Sequence, residues 1–202
     1  MFDTVLLVTS YLFTQMCVVW FFYRVFKNPS IVDVSWSLGL MISGLLYLYS
    51  QPINSRTLVI GVLLIIWAFR LAGYLWFTRV RKGHVDKRYV QLSESWKISK
   101  GLGFFLNFQL QALMILFISS IFLFISQSAS TEISLSDGGC ILIIALAIIG
   151  ETQADIQLSR FKKQNPGAVC NVGWWNYSRH PNYFFDWLTW FGFTLLALNS
   201  SY

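Results

Sequence analysis

At 202 residues, 55% hydrophobic and only 12% charged, the chain is too apolar for a soluble domain of its size, in which about a quarter of the residues carry charge. Its apolar residues fall in repeated runs of about 20, the length that crosses a hydrocarbon core, so the composition is that of a membrane protein. The formal charge of +6 would suit nucleic acid, but its distribution along the chain points to membrane topology instead. No long polar linker interrupts the sequence, and a single membrane domain over residues 1–202 is the natural expectation. Cys17, Cys140 and Cys170 are odd in number and widely spaced, which suits neither a disulfide framework nor a zinc site.

Six spans are predicted, near residues 3–26, 31–50, 57–79, 102–126, 138–160 and 183–200, giving an all-α, polytopic helical bundle. The first is too long for the apolar core of a secretory signal and is preceded by Asp3 rather than a basic flank. Arg24 and Lys27 follow span one. Arg79, Arg81, Lys82, Lys87, Arg88, Lys97 and Lys100 follow span three, and Arg160, Lys162, Lys163 and Arg179 follow span five. Of the 15 basic residues only Arg56 falls in an opposite loop and only Arg70 inside a span. The positive-inside rule then puts the amino terminus outside and the basic loops in the cytoplasm, in a bacterial inner membrane or the endoplasmic reticulum. Such loops also attract anionic lipid or a phosphorylated ligand, two partners that the sequence does not separate.

Span two begins with a polar stretch, Pro29-Ser30-Ile31-Val32-Asp33-Val34-Ser35-Trp36. If Ser30 caps the helix, Asp33 takes the third helical position, where its carboxylate bonds back to the cap amide. The alternative is that it faces the bundle interior beside Trp36. In span three Arg70 lies about 13 Å from Arg79 at ~1.5 Å per residue, too deep to reach the interface comfortably. It therefore calls for an internal partner, with Asp33 a candidate. His84 falls in a polar loop, where solvation is expected. Asn107 and Gln111 of span four share a helical face, and hydrogen bonding between helices is the usual use of such amides in a membrane.

Chemistry is expected at Gly173-Trp174-Trp175-Asn176-Tyr177-Ser178-Arg179-His180-Pro181-Asn182-Tyr183, a polar and aromatic run between two apolar segments. Upstream, Glu151 and Asp155 sit four apart on one stripe of span five, where like charges repel. Downstream, Asp186 opens the last apolar run. Acids on apolar helices generally face a cavity, a partner or a ligand. Either a ligand compensates this stripe, or both acids lie at the interface beside Arg160, Lys162 and Lys163. Dinucleotide, phosphate-loop, zinc-hydrolase and nucleophilic-serine motifs are missing from the sequence. What remains suits an anionic, ring-containing cofactor at the cytoplasmic face: Arg179 and His180 for phosphate, Asn182 for an amide, Tyr177 and Tyr183 for stacking or donation.

The run Gly173 to Tyr183 resembles the Gly-x-x-x-x-Ser-Arg-His-Pro-Asn-Tyr signature of the membrane steroid 5-alpha-reductase-like superfamily, and most nearly its bacterial DUF1295 branch. The likeness extends to Val32-Asp33-Val34-Ser35-Trp36, to Arg70 through Asp86-Lys87-Arg88-Tyr89, and to Glu151 through Phe161. It implies a multi-helix membrane fold in which NADPH, bound from the cytosolic side, reduces a carbon–carbon double bond conjugated to a carbonyl in a lipid-like substrate. It further implies that Asp155 contacts the cofactor with Glu151 one turn earlier. Tyr177, Arg179, His180, Asn182 and Tyr183 would surround it, followed by Asp186. Asp33 and a span-three tyrosine, most simply Tyr74, are the implied catalytic pair, a hydroxyl held by a carboxyl group and stabilising the developing enolate. Two departures stand out. Relatives carry Gly-Glu where this chain has Phe185-Asp186, and they continue past the position of Tyr202 with roughly another span and a basic tail, so the chain is expected to be truncated there.

The same superfamily includes isoprenylcysteine carboxyl methyltransferases, which share an Arg-His-Pro-x-Tyr stretch and use S-adenosylmethionine. The full Ser-Arg-His-Pro-Asn-Tyr run and Asp33-x-x-Trp36 favour the reductase branch. A non-catalytic lipid-binding membrane protein is the third alternative. The apolar walls suit sterols, isoprenoids and fatty acyl chains equally, and nothing in the sequence specifies an oligomeric state.

Overall fold

The computed structural model describes residues 1–200. Among them are seven α-helices, α1 Phe2–Phe26, α2 Ile31–Leu48, α3 Ser55–Leu75, α4 Lys87–Glu94, α5 Lys100–Ser126, α6 Leu135–Gln164 and α7 Pro181–Leu198. A π turn, Trp76–Val80, extends α3, and a 3-10 turn, Gly173–Asn176, precedes α7. Five stretches are long and apolar enough to cross a membrane: α1, α2, α3 with its π turn, α5 and α6. The protein is therefore a polytopic helical membrane protein. The stretch expected as a sixth span forms the 18-residue helix α7, which is not among those five. Pro181, Asn182 and Asp186 in its first turns make it less uniformly apolar than the others.

The described residues fall into two compact units, Met1–Gln127 and the segment from Ser128 onward. In the first, α2 packs against α1, α3 and α5, and α1 also packs against α5. Val8, Leu12, Met16, Leu40, Leu64, Trp67, Phe108 and Ile115 are buried there. The outward faces of α1 and α5 expose Phe13, Phe21, Leu113 and Phe117, a surface that suits acyl chains and not water. In the second unit α6 and α7 pack closely along their length, helped by Gly192, where an added Cβ would lie 2.5 Å from Ile144.

Local chemistry sets the helix ends. Lys27, at φ 55, closes α1 with its N–H on the Tyr23 carbonyl. Pro29 then prevents the helix from continuing. Asn54 with Thr57 and Ser134 with Asp137 form reciprocal capping boxes at the starts of α3 and α6. The short α4 joins the end of α3 to the start of α5, in a segment that looked like loop from sequence.

A candidate cofactor site and an arginine clasp

In the second unit Glu151 and Asp155 lie one turn apart on α6, each only 4% exposed. Asn182, in the first turn of α7, donates its Nδ2 to Asp155 Oδ1 over a long 3.4 Å. Its own Oδ1 is buried with no hydrogen-bond partner. Asp186, four residues on, takes the next position on the same face of α7 and is half-buried. Arg160, Lys162 and Lys163 are exposed, so the acids do not share the environment of the basic residues that follow them.

The start of the polar run is clasped to this stripe. Gln157 Oε1 accepts the Trp174 backbone N–H at 3.0 Å, and Gln153 Oε1 accepts the Trp174 indole N–H at 3.1 Å. Trp175 donates its indole N–H to the Ala154 carbonyl at 2.9 Å. Gly173 makes the approach feasible: its φ is 57, and an added Cβ would meet the Gln157 amide at 2.5 Å. On the α7 side Phe185 packs edge-on against Trp174 with centroids 5.2 Å apart. It also lies over Gly150, where an added Cβ would fall 2.4 Å from the ring. The Phe185 departure from the relatives' glycine is thus accommodated by a glycine on the facing helix.

Beyond the clasp the run turns outward. Tyr177 is 84% exposed, and Arg179, His180 and Tyr183 are exposed as well. The His180 and Tyr183 rings stack with centroids 5.3 Å apart. His180 is the N-cap of α7, with Pro181 at the first helical position. The structure therefore brings Glu151, Asp155 and Asn182 together and leaves Tyr177, Arg179, His180 and Tyr183 on an exposed rim. Trp174 and Trp175 lie in the polar run read from the sequence but carry no role of their own there, and Gln153 and Gln157 are not read as functional at all. For the glutamines the signal is their spacing either side of Asp155, on the helix that carries the acids.

The first unit holds Asp33 and Tyr74. Asp33 does not bond back to the cap amide, since the Ser30 N–H donates to Asn28 Oδ1 at 3.0 Å, and Ser30, the N-cap of α2, makes no side-chain capping bond. The Asp33 carboxylate instead takes charged donors, which bind it more strongly than a neutral amide would. Oδ2 accepts from Arg79 and lies 3.5 Å from Arg88 NH2. Oδ1 accepts the Tyr89 hydroxyl at 2.6 Å. Asp86 completes the cluster, 3.1 Å from Arg79 NH1 and gripped by Arg88 through Nε at 3.1 Å and NH2 at 3.0 Å. Its backbone N–H donates to Ser30 Oγ at 2.9 Å, the oxygen expected to cap α2. The π turn carries Arg79 into the clasp, and π turns inside α-helices are frequent at functional sites.

Tyr89 is 7% exposed. Burial, followed by the Asp33 charge and the hydrogen bond to it, pushes its phenol well above the usual tyrosine range, so it remains a neutral donor. Tyr74 is half-buried near the end of α3, and its carbonyl accepts the Thr78 hydroxyl at 2.6 Å. Asp33 therefore holds the hydroxyl of Tyr89, a residue of α4. Gln111 donates to Asn107 at 3.0 Å along its own helix and also hydrogen-bonds the Tyr89 side chain of α4, while Gln109 reaches Cys17 Sγ of α1 at 3.7 Å.

No curated protein and no solved structure is significantly similar to the chain. Residues 19–202 match the model of the family described as Protein of unknown function (DUF1295), and the chain belongs to that family.

Proposed function

We propose that the protein is a membrane-embedded, NADPH-dependent reductase acting on a carbon–carbon double bond conjugated to a carbonyl in a lipid-like substrate of steroid, isoprenoid or acyl character. One observation carries most of the weight. The polar run that resembles the steroid 5-alpha-reductase-like signature is folded onto the Glu151–Asp155 stripe, and the cluster so formed contains a buried acceptor, Asn182 Oδ1, with no donor in the protein. The donor set fits the cofactor. A carboxamide N–H suits Asn182 Oδ1, ribose hydroxyls suit carboxylate oxygens, and phosphates suit Arg179 and His180 at the amino end of α7, where backbone N–H groups and the helix dipole favour anions. When bound, NADPH supplies the hydride.

The protein's own part is orientation and electrostatics. Asp33 would hold a phenol for the substrate carbonyl, and Tyr89, already donating to it, joins Tyr74 as the candidate hydroxyl. A phenol donating there would stabilise the oxyanion as charge develops on it. The discriminating test is a titration of the purified full chain with NADPH and, separately, with S-adenosylmethionine. Saturable NADPH binding that S-adenosylmethionine does not displace is expected. The reverse preference would assign the methyltransferase branch, and saturation by neither would leave a lipid-binding role.

A further inference from the structure

At one end of the first unit α1 and α3 finish while α2 and α5 begin, and residues 76–100 lie across that end. Three anchors hold them there. Asp86 is fixed to Ser30 and Arg79. Tyr89 is fixed to Asp33. Trp96 packs on Phe104 with centroids 4.8 Å apart and covers Gly103, where an added Cβ would meet its ring at 2.1 Å. The start of α5 is itself tied to α1 by the Trp20 indole, which donates to the Gly101 carbonyl at 2.8 Å. The segment is therefore a fixed surface.

What this surface presents is cationic and apolar together. Arg81, Lys82, Lys87, Lys97 and Lys100 are exposed, interleaved with exposed Trp76, Phe77, Val90, Leu92 and Ile98. The Arg81 guanidinium lies 5.7 Å from the Phe77 ring centroid. The acids of the segment are Asp86 and Glu94, and Asp86 is occupied by Arg79 and Arg88. On α4, Tyr89 and Ser93 turn inward, Val90 and Leu92 flank them, and Lys87, Gln91 and Glu94 take the opposite side, the pattern of a helix lying in a bilayer interface. Membrane topology accounts for positive charge in such a loop, but it does not require the segment that carries the charges to be anchored to the bundle and to interleave them with exposed apolar side chains.

We infer that residues 76–100 form a docking surface for the headgroups of anionic phospholipids, with α4 lying in the interface. The lysines contact the phosphates, and Phe77, Val90, Leu92 and Ile98 contact the upper acyl chains. Each cation close to such a surface strengthens attraction to anionic lipid roughly five-fold, and added salt weakens it.

The test uses the full chain in nanodiscs of equimolar phosphatidylglycerol and phosphatidylcholine, released into mild detergent, with retained lipids counted by native mass spectrometry. Phosphatidylglycerol should be enriched several-fold. Replacing Lys82, Lys87, Lys97 and Lys100 together by glutamine should abolish the enrichment and bring the two lipids to equal retention, and replacing the same four by arginine should preserve it. Lys162→Gln with Lys163→Gln should leave it unchanged. Sodium chloride should erode the enrichment, and inorganic phosphate at equal ionic strength should do no more than chloride, which distinguishes a lipid headgroup from free phosphate. Equal retention of the two lipids by the unmodified chain would overturn the inference, as would the same loss in the Lys162/Lys163 pair. Should the glutamine variant not fold, the salt series on the unmodified chain decides, since salt-insensitive enrichment also overturns it.

Discussion

Gly173 is the residue on which the polar run turns. Its backbone takes a left-handed conformation, φ 57, and the space beside its Cα is filled by the Gln157 amide. Only glycine meets both demands without strain. Gly173→Ala should cost about 1–3 kcal/mol, partly as left-handed strain and partly as displacement of Gln157 from the Trp174 N–H. Adding Gln157→Ala should relieve the crowding and leave the strain. Melting of the two variants beside the unmodified chain measures this, and an unchanged melting temperature for Gly173→Ala would contradict the geometry. Reading residues for chemistry favours side chains with donors and charges, so Asp155 and Asn182 stood out. The roles of Gly150 and Gly173, which act by leaving room, became visible only once α6 and its neighbours were in place.

The clasp between α2 and the α3–α4 connection shows where sequence reading stops. Helix bounds follow from apolar period and caps and were legible to within a few residues. The partners of Asp33 were not, because Arg79 and Tyr89 lie 46 and 56 positions away and the nearer amide of Ser30 offered a local alternative. The clasp carries its own pH dependence. Burial works to raise the Asp86 carboxyl, but the Arg88 hydrogen bonds and the Arg88 and Arg79 charges outweigh it and hold the group below its ordinary range. A carboxyl depressed on folding stabilises the protein above its ordinary value and loses that contribution as pH falls through the lowered one. The stability difference between the unmodified chain and Asp86→Asn should therefore be about 1–2 kcal/mol at pH 7 and shrink below about pH 4. Tyr89 has the opposite sign, since its raised phenol stabilises below the ordinary tyrosine value and ceases to do so as pH climbs above it. An Asp86→Asn difference that stays constant from pH 7 into the acid range would show that the charges contribute nothing.

Taken as a whole, the molecule has an architecture that its composition announces and a chemistry that it does not. Long apolar runs separated by basic loops allow little but a helical membrane bundle, and the outward Phe and Leu side chains of α1 and α5 agree. Under the proposed function, substrate choice would rest on apolar side chains, which carry no charged signal in the sequence. The proposed cofactor site depends on the convergence of Glu151, Asp155 and Asn182. Its most direct test is the NADPH affinity of Asp155→Asn beside Glu151→Gln, measured in one detergent with the unmodified chain. Charge-assisted hydrogen bonds to a ligand contribute about 1.5–3 kcal/mol, so Asp155→Asn should weaken binding roughly ten- to hundred-fold. Its melting temperature should hold or rise as repulsion with Glu151 is relieved. Unchanged affinity in both variants would contradict the assignment of this stripe to the cofactor.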